Sequence, residues 1–187
     1  MAPDPGSVPR LLVSPGDHYI QESAWSPDGT KIAYVVEDWP SPGKTYIAST
    51  TGTPNPLQVG GTSGIAGLDW SHDGRYLAYG SDQGGNYDIW IRPPGPGSPS
   101  QITHDPASDA VPRWSPDGKQ IAFVSGRSGH DAVWLMTASG ADPIRLSPDG
   151  YEAVNPSWAP DGSALAYIAC PEGEATAPRD IWIARWR

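Results

Sequence analysis

Four copies of one short-stranded unit predict an all-β protein, and three observations carry that prediction. The string Trp25-Ser-Pro-Asp-Gly29 returns as Trp70-Ser-His-Asp-Gly74, Trp114-Ser-Pro-Asp-Gly118 and Trp158-Ala-Pro-Asp-Gly162, with tryptophan spacings of 45, 44 and 44 residues. The composition holds 22 Gly and 22 Pro in 187 residues with only 18% charged residues, which argues against a helical bundle, while nine Trp and eight Tyr argue against disorder. No stretch sustains a helical apolar period over about eleven residues. Four short strands in roughly 44 residues is the period of a propeller blade. The expected fold is therefore a β-propeller of four four-stranded blades in a single domain over 1–187, with blades at about 22–60, 67–104, 111–147 and 155–187 plus 10–14.

Each strand can be justified in order. The inner strand of a blade ends near its tryptophan, which is large enough to fill the wedge between neighbouring blades. The Pro-Asp-Gly that follows suits a turn, because Pro fixes φ and Gly accepts a positive φ. A second strand comes next: Lys31-Ile-Ala-Tyr34, Tyr76-Leu-Ala-Tyr79, Gln120-Ile-Ala-Phe123 and Ala164-Leu-Ala-Tyr167. A third follows a polar loop, as Thr45-Tyr-Ile-Ala48, Asp88-Ile-Trp-Ile91, Ala132-Val-Trp-Leu135 and Asp180-Ile-Trp-Ile183. A shorter fourth is Pro56-Leu-Gln-Val59, Ser100-Gln-Ile-Thr103 and Pro143-Ile-Arg-Leu146. Runs rich in Ile, Val, Tyr and Trp, bounded by Gly, Pro, Asp and Ser, are strand-and-turn signals.

The series Trp-Ser-Pro-Asp-Gly, Ile-Ala-Phe/Tyr, Asp-Ile-Trp resembles the WD-like propeller repeat of TolB and of prolyl-oligopeptidase-type propellers, in four copies from about residue 10 to 187. His72 replaces the turn proline in the second copy, and Tyr46 stands where the other copies carry a strand Trp. The resemblance implies a TolB-like repeat protein that binds a protein or peptide.

The register of the repeat is informative. Arg10-Leu-Leu-Val-Ser14 matches Pro143-Ile-Arg-Leu-Ser147, a fourth strand, whereas Asp180–Arg187 is a third strand with no fourth after it. Residues 10–14 are expected to complete the last blade by pairing with 179–185. Two routes lead there: one chain closes as a four-bladed ring, or two chains pair as a homodimer into an eight-bladed ring. A four-bladed ring needs a sharper wedge angle, and bulky Trp on every inner strand crowds its centre, which favours the paired ring.

Several function classes are disfavoured. The formal charge of −9 argues against nucleic acid as a partner. The lone Cys170 excludes an internal disulfide and any multi-cysteine zinc site. No apolar run approaches the roughly 20 residues of a membrane span. The start, Met-Ala-Pro-Asp-Pro-Gly, lacks the features of a signal peptide, so the chain as it stands reads as cytoplasmic, with a periplasmic or secreted origin if a leader is removed. Gly-x-Ser-x-Gly is absent. Its nearest string, Gly126-Arg-Ser128-Gly-His130, reads as a hairpin loop, and no catalytic domain is expected beside the repeats. The expectation is no enzyme activity. Gly60-Gly61 and Gly84-Gly85 read as loops rather than phosphate cradles, and His18, His72, His104 and His130 lack metal-ligand spacing.

The acids distribute unevenly. Asp28, Asp73, Asp117 and Asp161 belong to the turn face, nearly balanced by Lys31, Arg75 and Lys119. The loop face carries Asp17, Glu22, Glu37, Asp38, Asp82, Asp105, Asp109, Asp149, Glu152, Glu172 and Glu174 against few bases, chiefly Lys44, Arg127 and Arg179. Asp88, Asp131 and Asp180, with Arg127 and Arg179 nearby, read as hairpin-fixing charges. The acidic rim suits a cationic or peptide ligand; no cofactor is expected, with Ca²⁺ the one ion the rim could take. Glu22, Asp69, Arg113 and Asn155, within three residues before the blade tryptophans, are the candidate ligand-binding set at the channel mouth. Two functions stay open: a non-enzymatic scaffold that binds a protein or peptide at that mouth, or the propeller module or fragment of a peptidase- or lyase-type enzyme.

Overall fold

The computed structural model describes residues 10–38, 41–53, 55–60, 65–174 and 177–186. Residues 1–9, on which the leader reading rests, and Gly61 lie outside them. Blade 1 is β1 (Tyr19–Trp25), β2 (Lys31–Asp38), β3 (Ser41–Ser49) and β4 (Leu57–Gly60). Blade 2 is β5 (Ile65–Trp70), β6 (Leu77–Ser81), β7 (Asp88–Arg92) and β8 (Ser100–Gln101). Blade 3 is β9 (Asp109–Trp114), β10 (Gln120–Ser125), β11 (Ala132–Thr137) and β12 (Ile144–Arg145), and blade 4 is β13 (Tyr151–Trp158), β14 (Ala164–Pro171) and β15 (Asp180–Arg185). Within each blade the strands pair antiparallel in sequence order, and the described residues contain no helix. The repeat places the inner strands at about 22–26, 67–71, 111–115 and 155–159; each ends one residue earlier, at its tryptophan, and begins two to four residues earlier.

The repeated motif builds each turn. Ser26 Oγ accepts the Lys31 N–H at 2.9 Å and donates to Asp28 at 2.6 Å. Ser71 does the same for Tyr76 and Asp73, and Ser115 for Gln120 and Asp117. In the fourth copy Ala159 has no hydroxyl, and Ser163 supplies one to Asp161 at 2.7 Å instead. The closing glycines, Gly29, Gly74, Gly118 and Gly162, have φ of 69°, 69°, 69° and 72°, where a side chain would be strained.

Tryptophans join the blades. Trp70 Nε1 donates to Ala24 O of blade 1 at 3.0 Å, and Trp158 Nε1 to Arg113 O of blade 3 at 3.0 Å. The apolar clusters lie between blades. Val35, Ile47 and Val59 of blade 1 meet Leu68, Trp70 and Tyr79 of blade 2. Ala78 and Ile89 of blade 2 meet Trp114, Ile121 and Phe123 of blade 3, and Val133 and Leu135 meet Leu165 and Tyr167 of blade 4.

The ends differ from the expectation of closure within one chain. Residues 10–14 form no strand, and blade 4 has three strands among the described residues. The segment lies on blade 1: Val13 packs against Tyr34, Val36 and Ala48, and the Arg10 guanidinium donates to Thr50 O and Gly52 O. Among the described residues the strands pack chiefly within a blade or onto the next one, and no extensive strand packing joins blade 4 to blade 1. Among the described residues the four sheets do not close into a ring, and residues 10–14 lie on blade 1 without pairing with β15.

Blades 2 and 3 approach most tightly at Gly67, whose φ is 75° and whose Cβ, if present, would sit 2.7 Å from Val111 Cα. Gly67→Ala should cost about 1–3 kcal/mol in denaturant unfolding, as overpacked sites do. Gly95→Ala, which meets nothing within 4 Å, should stay within about 0.5 kcal/mol of the parent.

Candidate functional site

The inner strands bulge as they approach the loop face. Register shifts occur at Gly67 in β5, beside Val111 in β9 and beside Asn155 in β13. All three residues are left-handed, with φ of 75°, 53° and 55°. Glycine and asparagine adopt this conformation readily, but for the β-branched Val111 it is strained. Bulges of this kind bend a strand and re-aim its side chains. Here they open a cleft of about 440 Å³ between blades 2, 3 and 4, lined by Tyr87, Val111, Asp131, Val154, Asn155 and Arg179. The floor is apolar, and one acid, one base, one phenol and one amide stand around it.

The four candidate residues separate into two levels. Asn155 lines the cleft. Glu22 holds the same place before its tryptophan in β1, half-buried, with Oε2 sealed from solvent and without a hydrogen-bond partner. Asp69 and Arg113 stand one residue before their tryptophans, near the turn face. Asp69 accepts the Trp114 N–H at 2.6 Å, tying blade 2 to blade 3, and lines a second hollow of about 390 Å³ with Trp25, Trp70 and Trp114. Burial pushes its carboxyl up to about 6, although the Trp114 N–H and the Arg113 charge pull the other way. Arg113 donates to Pro112 O at 2.8 Å. The structure therefore brings Asp69 and Arg113 together and leaves Glu22 and Asn155 on the other level.

The acidic rim is smaller than its sequence count. Asp109 is fully buried and receives both arms of the pairing from Arg127 Nη2, at 2.7 and 2.9 Å. The same guanidinium lies 5.0 Å from the Trp134 ring centre. Arg127 thus pairs with an inner-strand acid, not with the third-strand acids expected to fix the hairpins. Asp88 is also buried, held by Gln101 and Thr103, with its carboxyl pushed up by burial and by Asp109 nearby. Arg145 takes Asp149 at 2.6 Å, and His130 takes Glu172 at 3.2 Å while its other ring nitrogen meets Arg145 at 3.0 Å. Among the described residues, no three His, Cys, Asp or Glu side chains converge as a metal site. No helix among them is long and apolar enough to cross a membrane. Ser128 donates to the His130 carbonyl, not to its imidazole, and Cys170 is buried.

Sequence reasoning missed Tyr87 as a lining residue and read Asp131 and Arg179 as structural. The bulge was the signal available: Val111-Pro112 and Asn155-Pro156 stand at the same offset before their tryptophans.

The family model described as the TolB β-propeller domain matches residues 6–181. The Tol-Pal system protein TolB of Alcanivorax borkumensis is 49% identical over 61 residues, which are 32% of this chain and 14% of that protein. A crystal structure of TolB from Acinetobacter baumannii superposes with a TM-score of 0.79 at 25% identity, over 96% of this chain and 44% of that one. A puromycin-hydrolyzing peptidase of Mycobacterium tuberculosis superposes with a TM-score of 0.73 at 20% identity, over 94% of this chain and 28% of that one. The chain thus spans less than half the length of each of these proteins.

The turn and channel acids give stability opposite pH slopes. Ser26 holds the Asp28 carboxyl down at about 2, and Asp73, Asp117 and Asp161 are lowered by equivalent bonds from Ser71, Ser115 and Ser163. These carboxylates stabilise the fold above the ordinary value of about 4 and lose that contribution as pH falls toward 2. Asp69 is raised, so the folded state holds its proton more tightly and stability falls as pH rises from about 4 through 6. Denaturant titrations of Asp69→Asn should show a flatter profile between pH 4 and 7 than the parent, with the acid limb below pH 4 unchanged.

Proposed function

The chain belongs to the TolB β-propeller domain family, and from that premise we propose that it is a non-enzymatic scaffold that binds an extended protein or peptide segment in the loop-face cleft. One observation carries this reading: Val111 is held at φ 53° on the wall of the cleft. Strained backbone persists only where surrounding structure over-determines it, and such sites cluster where ligands are held. The chemistry of the walls fits the ligand class. Val111, Val154 and Ala110 offer apolar contact, while Asp131 and Arg179 supply one charge of each sign for a peptide's own side chains or termini. Asn155 offers both donor and acceptor to a peptide backbone. Glu22 extends the polar row at the same level of β1, and Asp69 with Arg113 supports the site by holding consecutive blades in place.

A second reading rests on the superposition with the peptidase: the four blades would be the propeller part of a peptidase-type enzyme whose catalytic domain lies outside this chain. The two readings part at the cleft. Peptides selected from a random display library against the purified chain should bind with Asp131→Asn, Arg179→Gln and Asn155→Ala each weakening affinity, by roughly tenfold for the two charges. Equal affinity in all three variants would contradict the cleft reading. Stoichiometric labelling of a serine by a fluorophosphonate would contradict the non-enzymatic one.

A further inference from the structure

The junction between blades 2 and 3 departs from the repeat at its turn-face end, and the departures meet in one hollow. At the junctions on either side, the turn of one blade rests on the proline of the blade before it. A Cβ placed on Gly74 would meet Pro27 Cδ at 3.8 Å, and one on Gly162 would meet Pro116 Cδ at 3.8 Å. Blade 2 carries His72 in place of that proline, and a Cβ on Gly118 would meet nothing within 4 Å. The tryptophan bond changes too. Trp70 Nε1 donates to Ala24 O and Trp158 Nε1 to Arg113 O, so Trp114 Nε1 should reach Asp69 O. It is sealed from solvent without a hydrogen-bond partner, and the Trp114 backbone N–H goes to Asp69 Oδ2 at 2.6 Å.

Asp69 is itself a departure, since the other blades place Ala24, Arg113 and Ser157 before their tryptophans. With Trp70, His72, Trp114, Ser115 and Pro116 it lines the hollow of about 390 Å³. These residues belong to the two middle blades, so this wall is built by a junction that the chain makes in full. Burial among the indoles pushes the carboxyl up to about 6. The charged groups around it are otherwise engaged. Arg113 of β9 acts on it through space but donates to Pro112 O at 2.8 Å. Arg75 lies 5.9 Å from the Tyr76 ring centre. Asp28, Lys31 and Asp73 line the adjoining hollow, where Ser26 and Ser71 hold the two acids. His72 lines both hollows. Asp69 is therefore a desolvated acid that, among the described residues, forms no ion pair.

We propose that this hollow binds a primary ammonium or guanidinium group, with Asp69 as its counter-charge and His72 as a second acceptor. A carboxylate screened from water favours a cation beside it more strongly than one in bulk solvent does. The bond between them is charge-assisted, and the indoles receive the methylene stem that carries such a head group. The site lies at the opposite end of the inner strands from the loop-face cleft and makes no use of it. Acid releases the ligand, because a protonated Asp69 no longer supplies the counter-charge.

The test follows the Trp114 backbone amide of the whole chain by NMR, since Asp69 holds that N–H. The cationic probes are acetyl-Gly-Lys-Gly-amide, acetyl-Gly-Arg-Gly-amide and spermidine, with acetyl-Gly-Gln-Gly-amide as the neutral control. A saturable shift is expected from the cations and not from the control. Saturation by the tripeptides alone assigns the cation to a protein side chain, and saturation by spermidine alone to a free amine; either supports the site. Binding should be about tenfold weaker at pH 5 than at pH 7.5, because a carboxyl titrating near 6 is then mostly protonated. Asp69→Asn keeps an acceptor for the Trp114 N–H and should weaken binding by roughly tenfold. His72→Pro restores the residue that the other turns carry, so it should fold as the parent does and bind roughly tenfold more weakly. Asp161→Asn, which removes an exposed acid of the same face two blades away, should change nothing. No saturable shift with any cationic probe would overturn the proposal, as would equal affinity in Asp69→Asn. Equal losses in Asp161→Asn and Asp69→Asn would also overturn it, since they mark diffuse attraction to an acidic surface.

Discussion

Each inner-strand tryptophan after the first lies across the blade that precedes it, and the architecture depends on that contact. A blade of three or four short strands has two apolar faces and cannot bury either alone. The indole supplies much of the missing cover, on the order of 150–250 Å² for a residue of this size. At blades 2 and 4 it also ties its ring nitrogen to a backbone carbonyl of the neighbour. Stability is therefore shared between neighbours, and a face without a neighbour is exposed. Among the described residues Trp25 and Ile183 lie on such faces, and Val13 of the 10–14 segment covers part of blade 1.

Polar interactions keep the blades regular at their two ends in different ways. On the turn face each aspartate accepts a hydroxyl from the chain beside it, which keeps the carboxylate ionised and the turn closed. On the loop face the buried Asp109–Arg127 pair fixes blade 3, with the guanidinium also covering Trp134. Such a pair holds a defined arrangement, because removing one partner would leave an uncompensated buried charge. Between these levels the bulges at Gly67, Val111 and Asn155 turn the inner strands and open the cleft. The cleft is thus a product of the packing that also sets the blades.

The architecture was legible in the sequence because a fourfold repeat states its own register. The Trp-x-x-Asp-Gly copies place each turn, and the Ile-Ala-Tyr and Ile-Trp-Ile runs place the strands behind them. The likeness of residues 10–14 to a fourth strand was legible in the same way, since Leu-Val-Ser matches Arg-Leu-Ser at 145–147, although the segment forms no strand. Its lodging on blade 1 was not, because repeat matching says which strand is missing and not which face a free strand covers. The site was only partly legible. Asn155 could be placed near the channel from its offset before Trp158, but the same reasoning put Asp69 and Arg113 beside it, although they stand two residues nearer their tryptophans, beyond the bulge and at another level. Charge partners were least legible: Asp109 and Arg127 meet across a hairpin, and nothing in their spacing distinguishes that pair from Arg127 with Asp131.

The central claim is that each inner-strand tryptophan after the first is held by the blade in front of it. Its most direct test is the emission of Trp70, which is 5% exposed, isolated as the difference between the parent and Trp70→Phe and recorded over a denaturant series. The account predicts a blue-shifted, buried emission from the folded chain that moves to that of a water-exposed indole only as the blades unfold. A water-exposed emission from the folded chain would contradict it.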